Sequence, residues 1–323
     1  MPARRMLLPA LMVFSTACGD TAHRIDAAER RAAVAALAEQ VETHYIDAAA
    51  APRIAAFLRA REGAGDYRAI HDDAALAQRL STDLLQASHD ARLRVAPLVP
   101  TPWWRRLRDR AGIASYAKIG ADIGYIDVTS FTAPDRSARR YANAFGKLAG
   151  TKTIIVDLRN NAGGDADGLQ LLASYVVDRP IHYATLTRRD GATEARWAFP
   201  QLAARPYLEQ LTILVGPRTS MEAENFAFAM QAWKRAAVVG SRSAGVATAS
   251  RPYPVTAYLT VQIPDARVTL PLTRTGWQGG VVPDLPTNGD ALREAKRRIL
   301  QDRLAHVTTP MGRSALLALL NEL

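Results

Sequence analysis

Cysteine is almost absent from this chain, since Cys18 is the only one among 323 residues. No intramolecular disulfide can therefore form. Long apolar runs are lacking too, and the run from Met6 to Phe14 is too short to cross a bilayer as a helix. There is no internal repeat and no low-complexity tract. What remains, 48% apolar and 22% charged, is the composition of a globular chain long enough for two modest domains or one large one.

The first residues have the pattern of an export signal. Arg4 and Arg5 precede the apolar run, and small residues lead from it to Cys18. A lone cysteine in that place resembles a bacterial lipoprotein cleavage site, although Ser15 stands where such sites usually carry Leu. We therefore predict a signal peptide over residues 1–17. The mature chain is predicted to be exported, either anchored to a membrane through a lipid on Cys18 or free in the periplasm.

The chain is basic, with a formal net charge of +10. Loss of two arginines with the signal would lower it to +8. One local cluster, within residues 105–110, follows Trp103 and Trp104. Basic residues beside aromatic ones are typical of surfaces that meet nucleic acid or an anionic membrane. Because an exported protein rarely meets nucleic acid, we predict no such partner and interpret the cluster as a membrane-facing or simply solvated surface.

The pattern of apolar and polar residues changes along the chain. Up to about residue 95, Ala-rich segments carry apolar residues three and four apart, which predicts helices. From about residue 120, strand-like and helix-like segments alternate, which favours an α/β core around a partly parallel sheet. The predicted organisation is a signal peptide at 1–17, a helical domain at 18–100, a linker at 101–119, an α/β core at 120–290 and C-terminal helices at 291–323.

The segment from Thr219 to Glu224 is the first that could carry chemistry. It follows the apolar run Leu211 to Val215 and opens a predicted helix. A strand that delivers a hydroxyl to a helix N-terminus is a serine-hydrolase geometry, because the N–H groups and the helix dipole there stabilise an oxyanion. The alternative is a plain helix cap, in which Thr219 and Glu222 form a capping box.

Three further turns accompany that segment. The predicted strand ending at Leu158 runs into a polar turn with the pair Gly163-Gly164, and paired glycines let a backbone present its N–H groups to a ligand. A simple strand-to-helix turn is the alternative. The other two are a glycine-rich turn at residues 276–284 and the segment 88–95 at the end of the helical region.

Together these segments resemble the tail-specific (C-terminal-processing) serine peptidases, in the branch that contains the tricorn protease core and interphotoreceptor retinoid-binding protein. Residues 157–164 match the family's Asp-Leu-Arg-x-Asn-x-Gly-Gly turn, residues 239–245 match the strand and turn after the nucleophile helix, and residues 280–284 match its Gly-Val-x-Pro-Asp turn. The likeness covers nearly the whole mature chain. It implies a ClpP/crotonase-like α/β core behind a small N-terminal helical domain, without a PDZ domain, metal or cofactor.

The same resemblance places the catalytic roles on residues that depart from the family pattern. The nucleophile position is Met221, with Ser220 one residue upstream. The position of the family's His is Arg92, which stays protonated and cannot accept a proton. Gln278 stands nearest to the position of the supporting acid, and Val246 replaces the Lys that another branch uses as base.

Two functions remain open at this stage. In the first, the amides of Gly163 and Gly164 and the adjacent helix N-terminus bind a peptide or a protein C-terminal segment, or a hydrophobic small molecule, without cleaving it. In the second, the chain is an active serine endopeptidase with Ser220 as a shifted nucleophile, His89 as base and the same two amides as oxyanion donors. We favour the first, because a serine without a base is a poor nucleophile near neutral pH.

Overall fold

The computed structural model describes residues 23–98, 111–120 and 122–323. The predicted signal peptide, Cys18 and the basic cluster at 105–110 lie outside the described residues, so the predictions made for them stay predictions. Part of the predicted linker is a strand, since residues 113–118 are extended and paired.

The described residues contain helices and strands in the following chain order: α1 (Ala27–His44), α2 (Ala51–Ala64), α3 (Asp73–Ser88), β1 (Arg94–Pro97), β2 (Ile113–Lys118), β3 (Ile123–Val128), α4 (Pro134–Leu148), β4 (Thr153–Asp157), α5 (Ala166–Tyr175), β5 (Ile181–Arg188), β6 (Thr193–Ala198), β7 (Gln210–Val215), α6 (Glu222–Ala232), β8 (Ala236–Gly240), β9 (Thr248–Pro254), β10 (Leu259–Thr269), β11 (Leu285–Pro286), α7 (Ala291–His306) and α8 (Pro310–Asn321). None of these helices is long and apolar enough to cross a membrane.

The N-terminal helices begin and end at residues that the sequence marks for those roles. Asp26 caps α1 by accepting hydrogen bonds from the amides of Ala28 and Glu29, and the Glu29 carboxylate accepts one from the Asp26 amide at 2.9 Å. Helix α2 ends at Gly65, whose φ of +84° is a left-handed conformation that glycine adopts without strain. The predicted helical N-terminal region is therefore confirmed.

The larger sheet has the strand order β11-β8-β7-β4-β3-β2. Strands β3, β4, β7, β8 and β11 are parallel, and β2 pairs antiparallel with β3 at one edge. Every residue of β4 is buried, as expected for a central parallel strand covered on both faces. The predicted α/β core with a partly parallel sheet is therefore confirmed.

The smaller sheet, β1-β10-β5-β6 with β9 on β10, joins the two parts of the chain. Strand β1 pairs antiparallel with β10, so that Arg94 lies opposite Gln262. Val261 and Ile263 of β10 belong to the same hydrophobic core as the N-terminal helices. The helical region therefore does not stand apart from the α/β core.

The carboxyl ends of β4 and β7 lie side by side. Asp157 pairs with Leu214 in parallel register, so the turns that follow both strands start at the same edge of the sheet. Ligand sites of α/β sheets commonly form at this edge. The fold thus brings the Gly163-Gly164 turn next to the segment that opens α6.

Candidate active site

The segment before α6 is tied firmly to the turn after β4. The Thr219 hydroxyl donates to the Leu158 carbonyl at 2.7 Å and accepts from the Gly216 amide at 2.9 Å. The Ser220 amide donates to the Asn161 carbonyl at 3.0 Å. Because Thr219 holds the loop and bonds no amide of α6, the capping box expected for Thr219 and Glu222 is wrong.

Met221 occupies the sharp corner between this loop and α6. Its φ of 53° and ψ of −118° make a backbone conformation that residues with a Cβ rarely adopt. A Cβ built on Gly163 would lie 2.8 Å from the Cβ of Met221. It is therefore Met221 that faces the paired glycines. The Ser220 hydroxyl makes no hydrogen bond with the described residues.

Glu224 fixes the position of that corner through the hydrogen bonds of its carboxylate. Its side chain is fully buried and accepts hydrogen bonds from the Met221 amide at 3.0 Å and the Val246 amide at 2.8 Å. Its other oxygen accepts from the Gly245 amide and the Ser243 hydroxyl, both at 2.5 Å. A buried carboxylate with four donors is well compensated for its loss of water. This one side chain joins the start of α6 to the turn after β8.

Both amides that the sequence assigns to a ligand oxygen hold a protein acceptor. The Gly163 amide donates to the Asn161 side-chain oxygen at 2.8 Å. The Gly164 amide donates to Oε2 of Glu222 at 2.9 Å. Burial raises the pKa of Glu222, partly offset by the hydrogen bond from Gly164. A ligand oxygen could reach the Gly164 amide only by displacing this carboxylate.

Arg92, which the sequence resemblance assigns to the position of the family's His, lies at the edge of the site. Its guanidinium forms a bidentate pair with Asp90, with both contacts at 2.7 Å, and it also hydrogen-bonds the Thr248 hydroxyl. Tyr45 donates to the same Asp90 carboxylate at 3.2 Å. Burial by itself raises the pKa of Asp90, but the hydrogen bonds and charge of Arg92 outweigh it, so the pKa lies below its usual value. Arg92 is thus committed to an ion pair.

The other residues singled out from the sequence lie at different depths around the site. Val246 uses its backbone there, since its amide bonds Glu224 and its carbonyl accepts from the Trp277 indole at 3.1 Å. Gln278 is exposed, and its carbonyl oxygen is 2.7 Å from where a Cβ on Gly245 would lie. His89 is an exposed residue that ends α3 in a left-handed conformation, with a φ of 56°. Its imidazole hydrogen-bonds no described residue.

A small cavity of about 30 Å³ lies beside Met221. Its polar walls include Glu222, Asn225 and Arg196. Its remaining walls, supplied by α5, β5, β9, β10 and the loop after β10, are Ala166, Leu169, Tyr183, Leu186, Thr248, Ala249, Val268 and Trp277. We call this space the polar cavity. Thr248 therefore links the polar cavity to Arg92.

The described residues include no group of three or more His, Cys, Asp and Glu side chains placed to hold a metal ion.

Several of these contacts had no signal in the sequence that would have revealed them. Asn161 was visible only as one letter of the glycine turn, and nothing marked its carbonyl as the acceptor for Ser220. Glu222 appeared as a capping residue, whereas its carboxylate turns back onto Gly164. Asn225 was not singled out at all. Each contact joins residues far apart in the chain, and a single sequence carries no measure of such proximity.

The comparison with known families agrees with this geometry. Residues 122–287, just over half of the chain, match the model described as Peptidase family S41. The chain belongs to peptidase family S41. Residues 22–111 match the N-terminal domain of peptidase S41 in eukaryotic IRBP. The predicted resemblance to this family is confirmed, and both parts of the S41 chain described above, the helical region and the α/β core, are covered.

Solved structures share the fold of this S41 member. A lipoprotein from Streptococcus agalactiae matches with a TM-score of 0.63 and 16% identity, over 93% of this chain and 100% of that one. The photosystem II D1 C-terminal processing protease matches with a TM-score of 0.54 and 15% identity, over 81% and 94% of the two chains. A putative peptidase from Parabacteroides merdae ATCC 43184 has a TM-score of 0.51 and 16% identity, over 82% and 92%. At such identities the likeness shows the fold.

Proposed function

We propose that this protein is an exported, peptide-binding member of peptidase family S41 that does not cleave what it binds. The observation that carries the proposal is the placement of Met221. Its Cβ, and not the Ser220 hydroxyl, stands at the strained corner opposite Gly163. A thioether has no proton to lose and is no acylating nucleophile under these conditions, whereas it makes an adaptable apolar contact.

The surroundings of Met221 support the absence of hydrolysis. The guanidinium of Arg92 is paired with Asp90 and stays protonated, so it cannot take a proton from a nucleophile. Val246 has no titratable side chain at the position of the other branch's lysine. The donor position that would stabilise an oxyanion, at the Gly164 amide, already holds the Glu222 carboxylate.

Binding has support from what the site retains. Glu224 still fixes the start of α6 and joins it to the turn after β8. The turn after β4 lies against the same helix start, because the Gly164 amide bonds Glu222. Proteins of this family act on peptide chains, so a peptide or the C-terminal segment of a protein is the ligand class proposed here. An anchor on Cys18 would hold the site near a membrane surface.

The decisive experiment is covalent labelling with a fluorophosphonate probe. We expect no labelling of the purified wild-type protein and no cleavage of casein. Labelling of the wild type that disappears in Ser220→Ala would overturn the proposal and establish Ser220 as a shifted nucleophile. The matched control is Ser241→Ala, which removes a hydroxyl from the turn after β8 and should leave any labelling unchanged.

Binding is tested separately from hydrolysis. Fluorescence anisotropy of labelled, unstructured peptides should rise on addition of the protein and saturate. Retention at membranes is tested by cell fractionation of wild type and Cys18→Ala, and the variant is expected in the soluble fraction. Cys18 found unmodified by mass spectrometry would contradict the anchor, while peptides that never bind would contradict the binding function.

A further inference from the structure

The polar cavity contains two hydrogen-bond acceptors, of which one has no partner among the described residues and the other has no cationic partner there. Asn225 is 8% exposed and lines the cavity, and its buried side-chain oxygen has no hydrogen-bond partner among the described residues. An unsatisfied buried acceptor is costly, of the order of 1–3 kcal/mol, and calls for an explanation in a native fold. An N–H donor brought by a ligand would satisfy it.

The second acceptor is the carboxylate of Glu222. It is withdrawn from water, and among the described residues no basic side chain forms an ion pair with it. The neighbouring charge that acts on it, that of Asp165, is also negative and opposes its ionisation. Within the part of the chain that the structure describes, the donors to the carboxylate are backbone amides. A cation beside Glu222 would therefore supply what the site lacks.

Arg196 lines the same cavity but does not fill this role. Its terminal nitrogens are committed to Glu194 at 2.6 Å and to Asp167 at 3.4 Å. Its Nε has no hydrogen-bond partner. Including Asp165, the carboxylates around the cavity outnumber this one guanidinium, so the local charge favours a cationic ligand over an anionic one.

Size restricts the cation further. A cavity of about 30 Å³ exceeds the roughly 10–15 Å³ needed to hold one water molecule, so it has room for a group of about a water's size and the start of its stem. A primary ammonium group is of that size, and a guanidinium group is larger. The walls of Leu169, Leu186, Val268 and Trp277 suit an aliphatic stem behind the charged end.

We propose that the polar cavity binds a primary ammonium group on an aliphatic stem, with Glu222 and Asn225 as its acceptors, and that in a bound peptide this group is a lysine side chain. The proposal rests on the peptide-binding function above and names the side chain that the site selects. Glu222 then has two partners in the complex, the Gly164 amide and the ligand ammonium.

The pocket can be tested without any peptide, with n-butylammonium chloride as the probe. In heteronuclear NMR spectra of the full mature chain, the amide signals of Gly164 and Glu222 should shift and saturate as n-butylammonium is added. n-Butanol, n-butyramide and n-propylguanidinium should bind at least tenfold more weakly. Equal or tighter binding of n-butyramide would overturn the proposal, because it would assign the cavity to a carboxamide that pairs Asn225 with Arg196.

Two variants test the named acceptors. Glu222→Gln keeps the shape and an acceptor for Gly164 but loses the charge, so n-butylammonium binding should weaken at least tenfold. Asn225→Asp adds a second negative charge at the unpartnered acceptor, and binding at pH 8 should tighten several-fold. The matched control, Glu294→Gln on α7, should bind like the wild type. Unchanged affinity in both cavity variants would overturn the proposal.

Peptides then separate this inference from the proposed function. We would compare Gly-Ala-Ala-Lys with Gly-Ala-Ala-norleucine, which keeps the aliphatic stem and lacks the ammonium. A lysine preference of at least tenfold that collapses in Glu222→Gln supports the pocket. Equal binding of the two peptides would leave peptide binding standing and overturn the pocket. If neither peptide binds while n-butylammonium saturates the cavity, the proposed function fails and the ammonium pocket stands.

Discussion

Two glutamates on the first turn of α6 have opposite fates. Glu224 is fully buried and receives four hydrogen bonds, from three backbone amides and the Ser243 hydroxyl. Glu222 receives backbone donors only, lies beside the negative Asp165, and has a raised pKa because of burial. Glu224 holds together the loops and the helix start that form the site, which we call its frame. Glu222 stands in the space where a ligand would bind.

The difference teaches that the frame and the chemistry of this site are separable. The frame depends on backbone groups that Glu224, Thr219 and Asn161 hold in place, and these contacts are all made. The chemistry depends on which side chains project from that frame. Here they are Met221 and Glu222.

The largest effect is expected from breaking the frame at Glu224. Glu224→Ala would leave three buried amides and the Ser243 hydroxyl without their acceptor, at about 1–3 kcal/mol for each unsatisfied group. We expect a loss of at least about 4 kcal/mol in the free energy of unfolding, measured by urea denaturation, which is much of a typical domain's stability. Glu294→Ala on the surface of α7 is the control, with a change within about 0.5 kcal/mol. A similar small change for Glu224→Ala would refute its role in the frame.

Gly164→Ala should have the next largest effect. A Cβ there would lie 2.2 Å from the Phe131 carbonyl oxygen, at a backbone φ of +142°. We expect a cost of about 2–3 kcal/mol from the strained conformation and the displaced strand-like bridge between these residues. The first contact of an added side chain is thus with the protein backbone, before any ligand.

The matched control for Gly164 is Gly63→Ala in α2. A Cβ on Gly63 meets no atom within 4 Å, so this change should stabilise the helix by about 0.5 kcal/mol. Thermal unfolding followed by circular dichroism compares the two variants. Equal melting temperatures for both would show that the Gly164 turn tolerates a side chain.

A smaller change in stability, whose sign depends on pH in a defined way, is expected for Glu222→Gln. The pKa of Glu222 in the folded protein is above its ordinary value of 4.5, so the folded state binds more protons than the unfolded one in that range. Stability from this group is full below about pH 4.5 and falls as the pH rises through the raised pKa. Glu222→Gln should remove this loss of stability at higher pH.

The measurement is the difference in unfolding free energy between the wild type and Glu222→Gln from pH 4 to pH 8. Asp165 and Arg196 face the same region, and both stay in place in the variant. As the pH rises, the unfolding free energy of Glu222→Gln should increase relative to that of the wild type. The unfolding free energy of Glu294→Gln should change with pH as that of the wild type does. Parallel curves for Glu222→Gln would mean that this carboxylate is as well solvated in the fold as in the unfolded chain.

The smallest effect is expected at the edge of the site. Arg92→Met removes the partner that holds the pKa of Asp90 below its usual value, so that pKa should rise. The lost stability, about 1 kcal/mol for a pair whose side chains are 31% and 11% exposed, applies at neutral pH and vanishes in acid as Asp90 becomes protonated. NMR titration of the Asp90 carboxyl measures the expected rise in its pKa. Arg94→Met, at an exposed position, is the control. An unchanged Asp90 pKa would show that Arg92 does not govern it.

The order of elements was readable from the sequence because it depends on local periodicity and punctuation. The spacing of apolar residues predicted the helices before residue 95, and the apolar runs predicted the ends of β4 and β7 to within a residue. The glycine turn and the closing Gly-Val-x-Pro-Asp turn identified the family, which the family comparison confirms. The predicted signal peptide, lipid anchor and site roles stay predictions.

The site could be anticipated only where it follows from the backbone. The family resemblance predicted that residues 163–164 and the start of α6 act together, and the strands that precede them, β4 and β7, do pair in parallel. The capping box at Thr219 failed since the hydroxyl finds a better partner in Leu158, 61 residues away in the chain. Local hydrogen-bond patterns cannot reveal a competing acceptor of that kind.

By itself the sequence determined the family and the α/β core, because these reside in the identity and spacing of residues. Only the tertiary structure decided that Met221 faces Gly163, that Glu222 takes the Gly164 amide, and that β10 joins the helical region to the core. The physical reason is that a side chain's partner is chosen by competition among all groups within reach, and folding sets which groups those are.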